Sequence, residues 1–323
     1  VTHWLKKFRN FTRRFQNDVS YRVCHDRINQ LFERFIFVNS ANSFPERSQI
    51  ICLVVPLQCR IIEEQILLQE SRVDINFNNH VSELILNAPP VNALNSSEWH
   101  ELADTIQEIS ANKEVHAVII RAIGKGFCAG VDIKELQQDP DKITDVNAGC
   151  WRVAEAIHHC SVPVISACHG FVLGGGILIS GASDIVLATE DAFFGLPEID
   201  RGALGGGAHL SRLFPLQAVR KMMFTGKPIS AEMAFSYGAL ESIHANQEDL
   251  NTAALSIARD IASKSPIAVR LAKQALNEIE PTDVNAEYKK EQGYTLKLYQ
   301  SSDSQEARDA FVEKRDADFK NEA

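Results

Sequence analysis

The stretch that decides the fold runs from His169 to Glu198 and reads HGFVLGGGILISGASDIVLATEDAFFGLPE. Three consecutive glycines, Gly174 to Gly176, stand directly before an apolar helical run. Glycines that open a helix leave backbone N–H groups unpaired and let a ligand approach the main chain closely. Such N–H groups suit an oxygen on which negative charge develops. The alternative is that these glycines only allow close packing of the helix.

The same stretch ends on one carboxylate, Glu198, which follows the rigid pair Leu196-Pro197 and precedes Ile199. An isolated glutamate is usually a surface residue, but this apolar frame favours partial burial. Burial raises the pKa of a carboxyl group towards neutrality, which suits the group to proton transfer. The stretch therefore predicts acid–base chemistry next to a stabilised oxyanion.

A second glycine-containing turn precedes it, AIGKGFCAGVDIKEL at residues 122–136. Asp132 and Glu135 have the spacing of a capping box, in which Asp132 caps the helix and Glu135 reaches back. This arrangement leaves the N–H of Val131 free to donate outward, and it places Lys125 where a cation could meet a phosphate. The alternative is a tight strand-to-helix turn with a solvated lysine.

Other site classes have weaker signals. A dinucleotide fold requires GxGxxG just after its first strand, and HGFVLGGG does not have that spacing, so we discount NAD. For His169 and His209 a structural role is favoured, and a catalytic role is the alternative. The seven cysteines form no CxxC pair and no cluster with metal-ligand spacing, which predicts reduced thiols, no bound metal and a cytoplasmic location.

Composition is ordinary for a soluble globular protein of 323 residues, with 45% hydrophobic and 23% charged residues. The net charge of −9 is uneven, because residues 1–62 carry +6 and the remainder carries −15. An acidic body argues against nucleic-acid binding. No apolar run approaches the roughly 20 residues of a membrane-spanning helix.

The first 65 residues are interpreted as a basic extension. Aromatic residues are mixed with arginines there, and the chain begins with Val and has no Met before Met222. We expect translated upstream sequence with a functional start near residues 54–66. An appended helical segment and a targeting peptide are the alternatives.

From about Leu67 the pattern alternates between β-branched runs and helical periodicity, which predicts an α/β architecture with crossover connections. Predicted strands cover 73–77, 81–86, 115–122, 162–167 and 184–188. One predicted helix starts near Ser96 or Ser97, and two others cover 146–160 and 176–182. Beyond Gly205 the chain is predicted to be mostly helical, with helices over 215–224, 230–237, 249–263, 266–278 and 284–299.

Three motifs in this order, GKGFCAGVDIKEL, HGFVLGGG and FGLPEI, resemble the enoyl-CoA hydratase/isomerase (crotonase) superfamily. The resemblance runs from about residue 70 to the C-terminus. It implies a crotonase-like ββα spiral core over 66–257 and a C-terminal helical oligomerisation region over 258–323. It also implies an acyl-CoA substrate, assembly as a homotrimer or homohexamer, and no separate cofactor, since coenzyme A is part of the substrate.

The resemblance implies a role for each motif position. The backbone N–H groups of Val131 and Gly175 would hold the thioester oxygen as it gains enolate charge. Lys125 and Ala129 would line the coenzyme A pocket. Glu198 would be the catalytic acid/base.

One departure from the family pattern affects the predicted reaction. Hydratases of the family carry two glutamates, and the first of those positions is Leu178 here. Dienoyl-CoA isomerases place a second aspartate where Gly206 stands. With Glu198 alone, hydratase/isomerase activity is the general expectation, and ring-opening C–C hydrolysis of a cyclic β-keto acyl-CoA, as in the steroid-degrading branch, is the alternative. A non-catalytic binding or assembly subunit is the third possibility.

Overall fold

The computed structural model describes residues 72–320, so the N-terminal extension and its predicted boundary at residue 65 lie outside the described residues. The described residues belong to one compact unit, Ser71–Ala323. The strands of this unit are β1 (Val73–Asn78), β2 (Val81–Leu86), β3 (Ala93–Leu94), β4 (Ala117–Ala122), β5 (Gly130–Val131), β6 (Val164–Cys168), β7 (Phe171–Leu173), β8 (Ile185–Thr189), β9 (Phe193–Gly195), β10 (Ile229–Ser230) and β11 (Ser242–His244).

The main sheet has six strands in the order β1-β2-β4-β6-β8-β11. The β1–β2 hairpin is antiparallel, and every following pair is parallel. Along β4, Val118 and Ile120 face one core cluster, whereas Ile119 faces the other. A strand covered on both faces reads as a continuous apolar run, so the prediction of a buried strand here is confirmed.

The helices are α1 (Ser96–Ala111), α2 (Ile133–Gln138), α3 (Ile143–His158), α4 (Gly175–Ala182), α5 (Gly207–Leu213), α6 (Leu216–Thr225), α7 (Ala231–Ser236), α8 (Gln247–Ala262), α9 (Pro266–Ile279), α10 (Val284–Leu298) and α11 (Ser302–Glu313). The predicted strands and helices are confirmed to within three residues at their ends. None of the described helices has the length and apolar character that a membrane crossing requires.

The predicted capping box of Asp132 and Glu135 is wrong in its second half, and α1 begins with a capping box that was not predicted. Helix α1 is capped by Asn95, whose Oδ1 accepts the Glu98 N–H at 3.0 Å while Glu98 accepts the Asn95 N–H at 2.8 Å. Asparagine caps as well as serine does, and Glu98 completes the box three residues later. Glu135 does not reach back to Asp132, because it accepts hydrogen bonds from the backbone N–H and the hydroxyl of Ser96, both at 2.8 Å.

Glu135 therefore ties the start of α1 to α2, which follows directly on β5. Asp132 does cap α2, since its Oδ1 accepts the Lys134 N–H at 3.0 Å. The turn that presents Val131 is thus fixed from both sides. The hydrogen bond from Ser96 to Glu135 satisfies one of the first N–H groups of α1, which have no acceptor within the helix, and it also joins α1 to α2.

Helix α9 lies with its polar side against the domain. Lys273 is only 4% exposed, and its Nζ donates to Asp184 Oδ2 at 2.7 Å and to the carbonyl oxygens of Ile157 and Val162. The opposite side is apolar and exposed: the exposed fractions are 72% for Ile267, 59% for Leu271, 61% for Leu276 and 74% for Ile279. A contiguous exposed apolar stripe of this kind is typical of an interaction surface.

Candidate active site

The two glycine turns predicted from the sequence meet in the structure. A Cβ atom added to Gly130 would lie 2.9 Å from the Gly175 nitrogen and 3.3 Å from the Leu173 carbonyl oxygen. One added to Gly175 would lie 3.1 Å from the Gly130 Cα and 2.5 Å from the ring of Trp99. Gly130 has a φ of +92°, which L side chains rarely adopt. Glycine at both positions therefore lets the two main-chain segments touch.

This contact brings the N–H groups of Val131 and Gly175 into one region. Strand β5 pairs with β3, and the Asp132 N–H donates to Leu94 O at 2.9 Å. Successive N–H groups of a strand point to opposite edges, so the Val131 N–H points away from β3. Gly175 is the first residue of α4, so its N–H has no acceptor within the helix.

Glu198 faces Gly174, the residue directly before Gly175. It lies in a short 3-10 helix, Pro197–Arg201, that follows β9, and β9 pairs in parallel with the strand that ends before Gly174. A Cβ atom on Gly174 would collide with Glu198 Oε1, and one on Gly205 would lie 3.4 Å from Glu198 Cγ. The side chain is therefore packed between two glycine backbones.

One oxygen of the Glu198 carboxyl is buried without a partner. Within residues 72–320 its Oε2 has no hydrogen-bond partner. Burial raises the pKa of Glu198 to about 7, although a hydrogen bond from its own backbone N–H and the Arg201 charge lower it, and the Glu291 charge raises it further. A carboxyl with this pKa exchanges protons readily near neutral pH, which is the property predicted for an acid/base catalyst.

The remaining predicted site residues have different settings. Leu178 is buried at 2% exposure on α4, so an apolar side chain occupies the first carboxylate position. Gly206 has a φ of +73°, and a Cβ there would lie 3.2 Å from Leu196 and 3.8 Å from Gly174 O. Ala129 is half-buried, and Lys125 is exposed earlier in the same turn.

The two histidines differ in their surroundings: His169 has a ring hydrogen-bond partner, whereas neither ring nitrogen of His209 has one within residues 72–320. His169 Nε2 is 3.1 Å from Gly124 O, at the strand end that precedes the first glycine turn. His209 is fully buried on α5, and burial lowers its pKa to about 3, so the ring is neutral at ordinary pH. Cys128 and Cys150 are buried free thiols, and burial raises the pKa of Cys128 to about 12.

Helix α10 contributes residues that sequence reasoning missed. Glu291 accepts the N–H groups of Gly207 at 2.9 Å and Ala208 at 3.1 Å, and the Thr295 hydroxyl donates to Leu204 O at 2.7 Å. These bonds hold residues 204–208, in the segment that follows Glu198, against α10. The apolar and polar residues at spacings of three and four along 284–295 were the available signal, but such a pattern does not specify which helix or loop is contacted.

Comparison with known proteins places the chain in a family. Residues 76–322 match the model of the enoyl-CoA hydratase/isomerase family, and the chain belongs to it. A solved structure described as an enoyl-CoA hydratase from Mycobacterium smegmatis superimposes with a TM-score of 0.63 at 28% identity, covering 77% of this chain and 99% of that one. The crotonase fold, the resemblance and the assignment as an acyl-CoA thioester enzyme are thereby confirmed.

Two relatives are more specific. The chain is 46% identical to the (7aS)-7a-methyl-1,5-dioxo-2,3,5,6,7,7a-hexahydro-1H-indene-carboxyl-CoA hydrolase of Mycobacterium tuberculosis, over 70% of this chain and 92% of the relative. It is 43% identical to the protein of the same name from Rhodococcus jostii, over 72% of this chain and 91% of the relative. Both names describe hydrolysis of a bicyclic diketone attached to coenzyme A.

Proposed function

We propose that this enzyme hydrolyses a carbon–carbon bond in the ring of a cyclic β-keto acyl-CoA. The observation that carries the proposal is the carboxyl of Glu198, whose Oε2 has no hydrogen-bond partner within residues 72–320, next to the N–H groups of Val131 and Gly175, with Leu178 at the position of a hydratase's other carboxylate. Syn hydration of a double bond uses two carboxylates around one water. Ring-opening hydrolysis requires one proton carrier, and the two hydrolases named above support this reaction.

In the proposed reaction Glu198 takes a proton from water, and the resulting hydroxide attacks the ring ketone. The tetrahedral alkoxide then collapses to a carboxylic acid, and the bond between the ketone carbon and the carbon next to the thioester breaks. The electron pair of that bond becomes a thioester enolate, whose oxygen accepts the N–H groups of Val131 and Gly175. Protonated Glu198 finally returns its proton to the enolate carbon, so water is consumed and the catalyst regenerated.

The coenzyme A end of the substrate is assigned to the glycine-containing turn at residues 122–136. Lys125 is exposed and carries a positive charge that suits a phosphate, and Ala129 lies four residues later at the oxyanion turn. Since coenzyme A arrives with the substrate, we propose no separate cofactor. We also propose a cytoplasmic location, which the described buried free thiols support.

The proposed reaction is tested by offering the purified enzyme three thioesters: 2-oxocyclohexanecarboxyl-CoA, crotonyl-CoA and a 3-enoyl-CoA. We expect the first to be opened to a dicarboxylic acid monothioester, and the other two to react much more slowly. Preferential turnover of crotonyl-CoA or the 3-enoyl-CoA would establish hydratase or isomerase activity instead. Turnover of none of the three, with intact thioester binding, would favour a non-catalytic subunit.

The pH dependence follows from the state of Glu198. Water activation requires the ionised carboxylate, and burial raises its pKa to about 7. We therefore expect kcat/KM for the cyclic β-keto thioester to rise with pH up to about pH 7 and then to level off. Initial rates between about pH 5 and pH 9 measure this. A rate that falls as the pH rises towards 7 would contradict the assignment of Glu198 as the base.

We propose that a second copy of the chain covers the apolar stripe of α9, giving a homotrimer or homohexamer. The side of this helix that faces the domain carries the Lys273–Asp184 ion pair. The apolar residues of the stripe are exposed and do not pack into the core of their own subunit. Burial of such side chains is worth about 1.5–3 kcal/mol each.

The assembly is tested by Leu271→Glu, which places a charge in the middle of the stripe. We expect the molar mass from light scattering to fall from a multiple of three to that of one 35.9 kDa chain. Thr252→Glu, at an exposed position of α8, is the matched control and should leave the mass unchanged. A wild-type protein that is already monomeric would exclude this assembly.

A further inference from the structure

We propose that Tyr288 is a further catalytic residue, whose hydroxyl donates a hydrogen bond to the ring-ketone oxygen while Val131 and Gly175 hold the thioester oxygen. The inference rests on the proposed C–C hydrolysis. It deepens that proposal by assigning a donor to the second oxygen on which charge develops.

The position of Tyr288 follows from how α10 is fastened. Glu291, one turn after Tyr288 on the same helix, accepts the N–H groups of Gly207 and Ala208. Gly205, two residues before Gly207, packs against the side chain of Glu198. Residues three apart share one face of a helix, so Tyr288 faces the same region as Glu291. Besides burial, the charge of Glu198 raises the pKa of the Tyr288 phenol, which supports a position in the region of the catalytic carboxyl.

The ring itself is firmly held. Tyr288 is 5% exposed, and its ring packs edge-to-face on His209 with centroids 4.9 Å apart. His209 is in turn completely buried on α5. A ring held in this way has a defined hydroxyl position, and preorganised donors of this kind stabilise a developing charge without a cost of reorganisation.

The protonation state suits a donor. Burial raises the pKa of Tyr288 well above its usual value, and the nearby Cys150, Glu291 and Glu198 raise it further, whereas a hydrogen bond with Gln292 acts in the opposite direction. The phenol therefore keeps its proton throughout the working pH range. A hydrogen bond that lowers the pKa of a phenol is one that the phenol oxygen accepts, so the bond with Gln292 leaves the Tyr288 proton available to a substrate oxygen.

The chemistry requires such a donor. When hydroxide adds to the ring ketone, the carbonyl π pair moves to the ketone oxygen, which becomes an alkoxide until the adjacent C–C bond breaks. The two backbone N–H groups are committed to the thioester oxygen, and Glu198 has just received the proton of the water. Leu178 offers no hydrogen bond, and both oxygens of Glu291 already accept backbone N–H groups.

The test distinguishes a donor to the ring-ketone oxygen from a donor to the thioester oxygen. Tyr288→Phe keeps the ring and its packing on His209 but removes the hydroxyl. We compare it with wild type and with Tyr294→Phe, a control at a 66% exposed position of the same helix. Each protein is assayed for hydrolysis of 2-oxocyclohexanecarboxyl-CoA. Each is also assayed for exchange of the α-hydrogen of phenylacetyl-CoA in D₂O, which needs Glu198 and the thioester oxyanion site but involves no second carbonyl.

We expect Tyr288→Phe to lower kcat for hydrolysis about 10²–10³-fold, the usual effect of removing one oxyanion donor, and to leave α-hydrogen exchange within about twofold of wild type. Exchange thus shows that the variant is folded and binds thioesters. Unchanged hydrolysis, or an equal loss of both activities, would overturn the proposed role of Tyr288 and leave the proposed reaction standing. Wild-type protein that exchanges the α-hydrogen but opens no cyclic β-keto thioester would overturn the proposed reaction and this role with it.

Discussion

Glu198→Gln is expected to lower kcat for the cyclic β-keto thioester about 10²–10⁴-fold, the usual contribution of a general acid/base. Glutamine has nearly the same shape but carries no exchangeable carboxyl proton, so it cannot accept the proton of water or return it to the enolate. KM should change little, because the thioester is held by backbone groups and not by this side chain. Steady-state kinetics on the purified variant measures both constants.

The matched control is Glu291→Gln, which alters the other buried carboxyl of the site. Glutamine keeps one oxygen that can accept a backbone N–H from Gly207 or Ala208, so we expect a loss of less than about tenfold. A wild-type rate in Glu198→Gln would remove Glu198 from the mechanism. A larger loss in Glu291→Gln than in Glu198→Gln would transfer the acid/base role to Glu291.

Gly175→Pro is expected to lower kcat about 10²–10³-fold relative to Gly175→Ala, because proline removes the backbone N–H that the oxyanion requires. Proline is well accommodated at the first position of a helix, where the missing N–H has no helical acceptor, and Gly175 occupies that position in α4. The comparison with alanine is necessary, since any Cβ here would lie 2.5 Å from the ring of Trp99.

Both variants carry this steric cost, so their thermal stabilities should fall together, and only the rate should separate them. Thermal melts and single-turnover rates on the two proteins give the comparison. Equal rates in the proline and alanine variants would mean that the Gly175 N–H does not stabilise the reaction.

Local sequence patterns predicted much of the fold. The apolar run of β4 and the helical periodicity of α8 are visible without tertiary information, because burial selects the residue types directly. The three glycines before α4 and the glycine turn before Val131 also indicated the proposed oxyanion site. Gly130 and Gly174 have positive φ values, and a Cβ atom on Gly175 would collide with the ring of Trp99, so both features depend on glycine.

Long-range partners could not be predicted in the same way. Glu135 has the spacing of a local cap, yet it bonds to Ser96, which is 39 residues earlier. Glu291 and Tyr288 look like ordinary residues of an amphipathic helix, and only the packing of α10 on the segment after Glu198 brings them to the site. A polar side chain whose partner lies on a distant element leaves no periodic signal in the sequence.

The central claim is that two backbone N–H groups converge on a thioester oxygen while one carboxyl faces the adjacent carbon. A crystal structure of Glu198→Gln with 2-oxocyclohexanecarboxyl-CoA bound tests it most directly. The account predicts the thioester oxygen within about 2.7–3.1 Å of the nitrogen atoms of both Val131 and Gly175, with the substituted amide side chain against the ring ketone and the carbon next to the thioester. A thioester oxygen bound elsewhere, or a substituted side chain turned away from the acyl group, would contradict it.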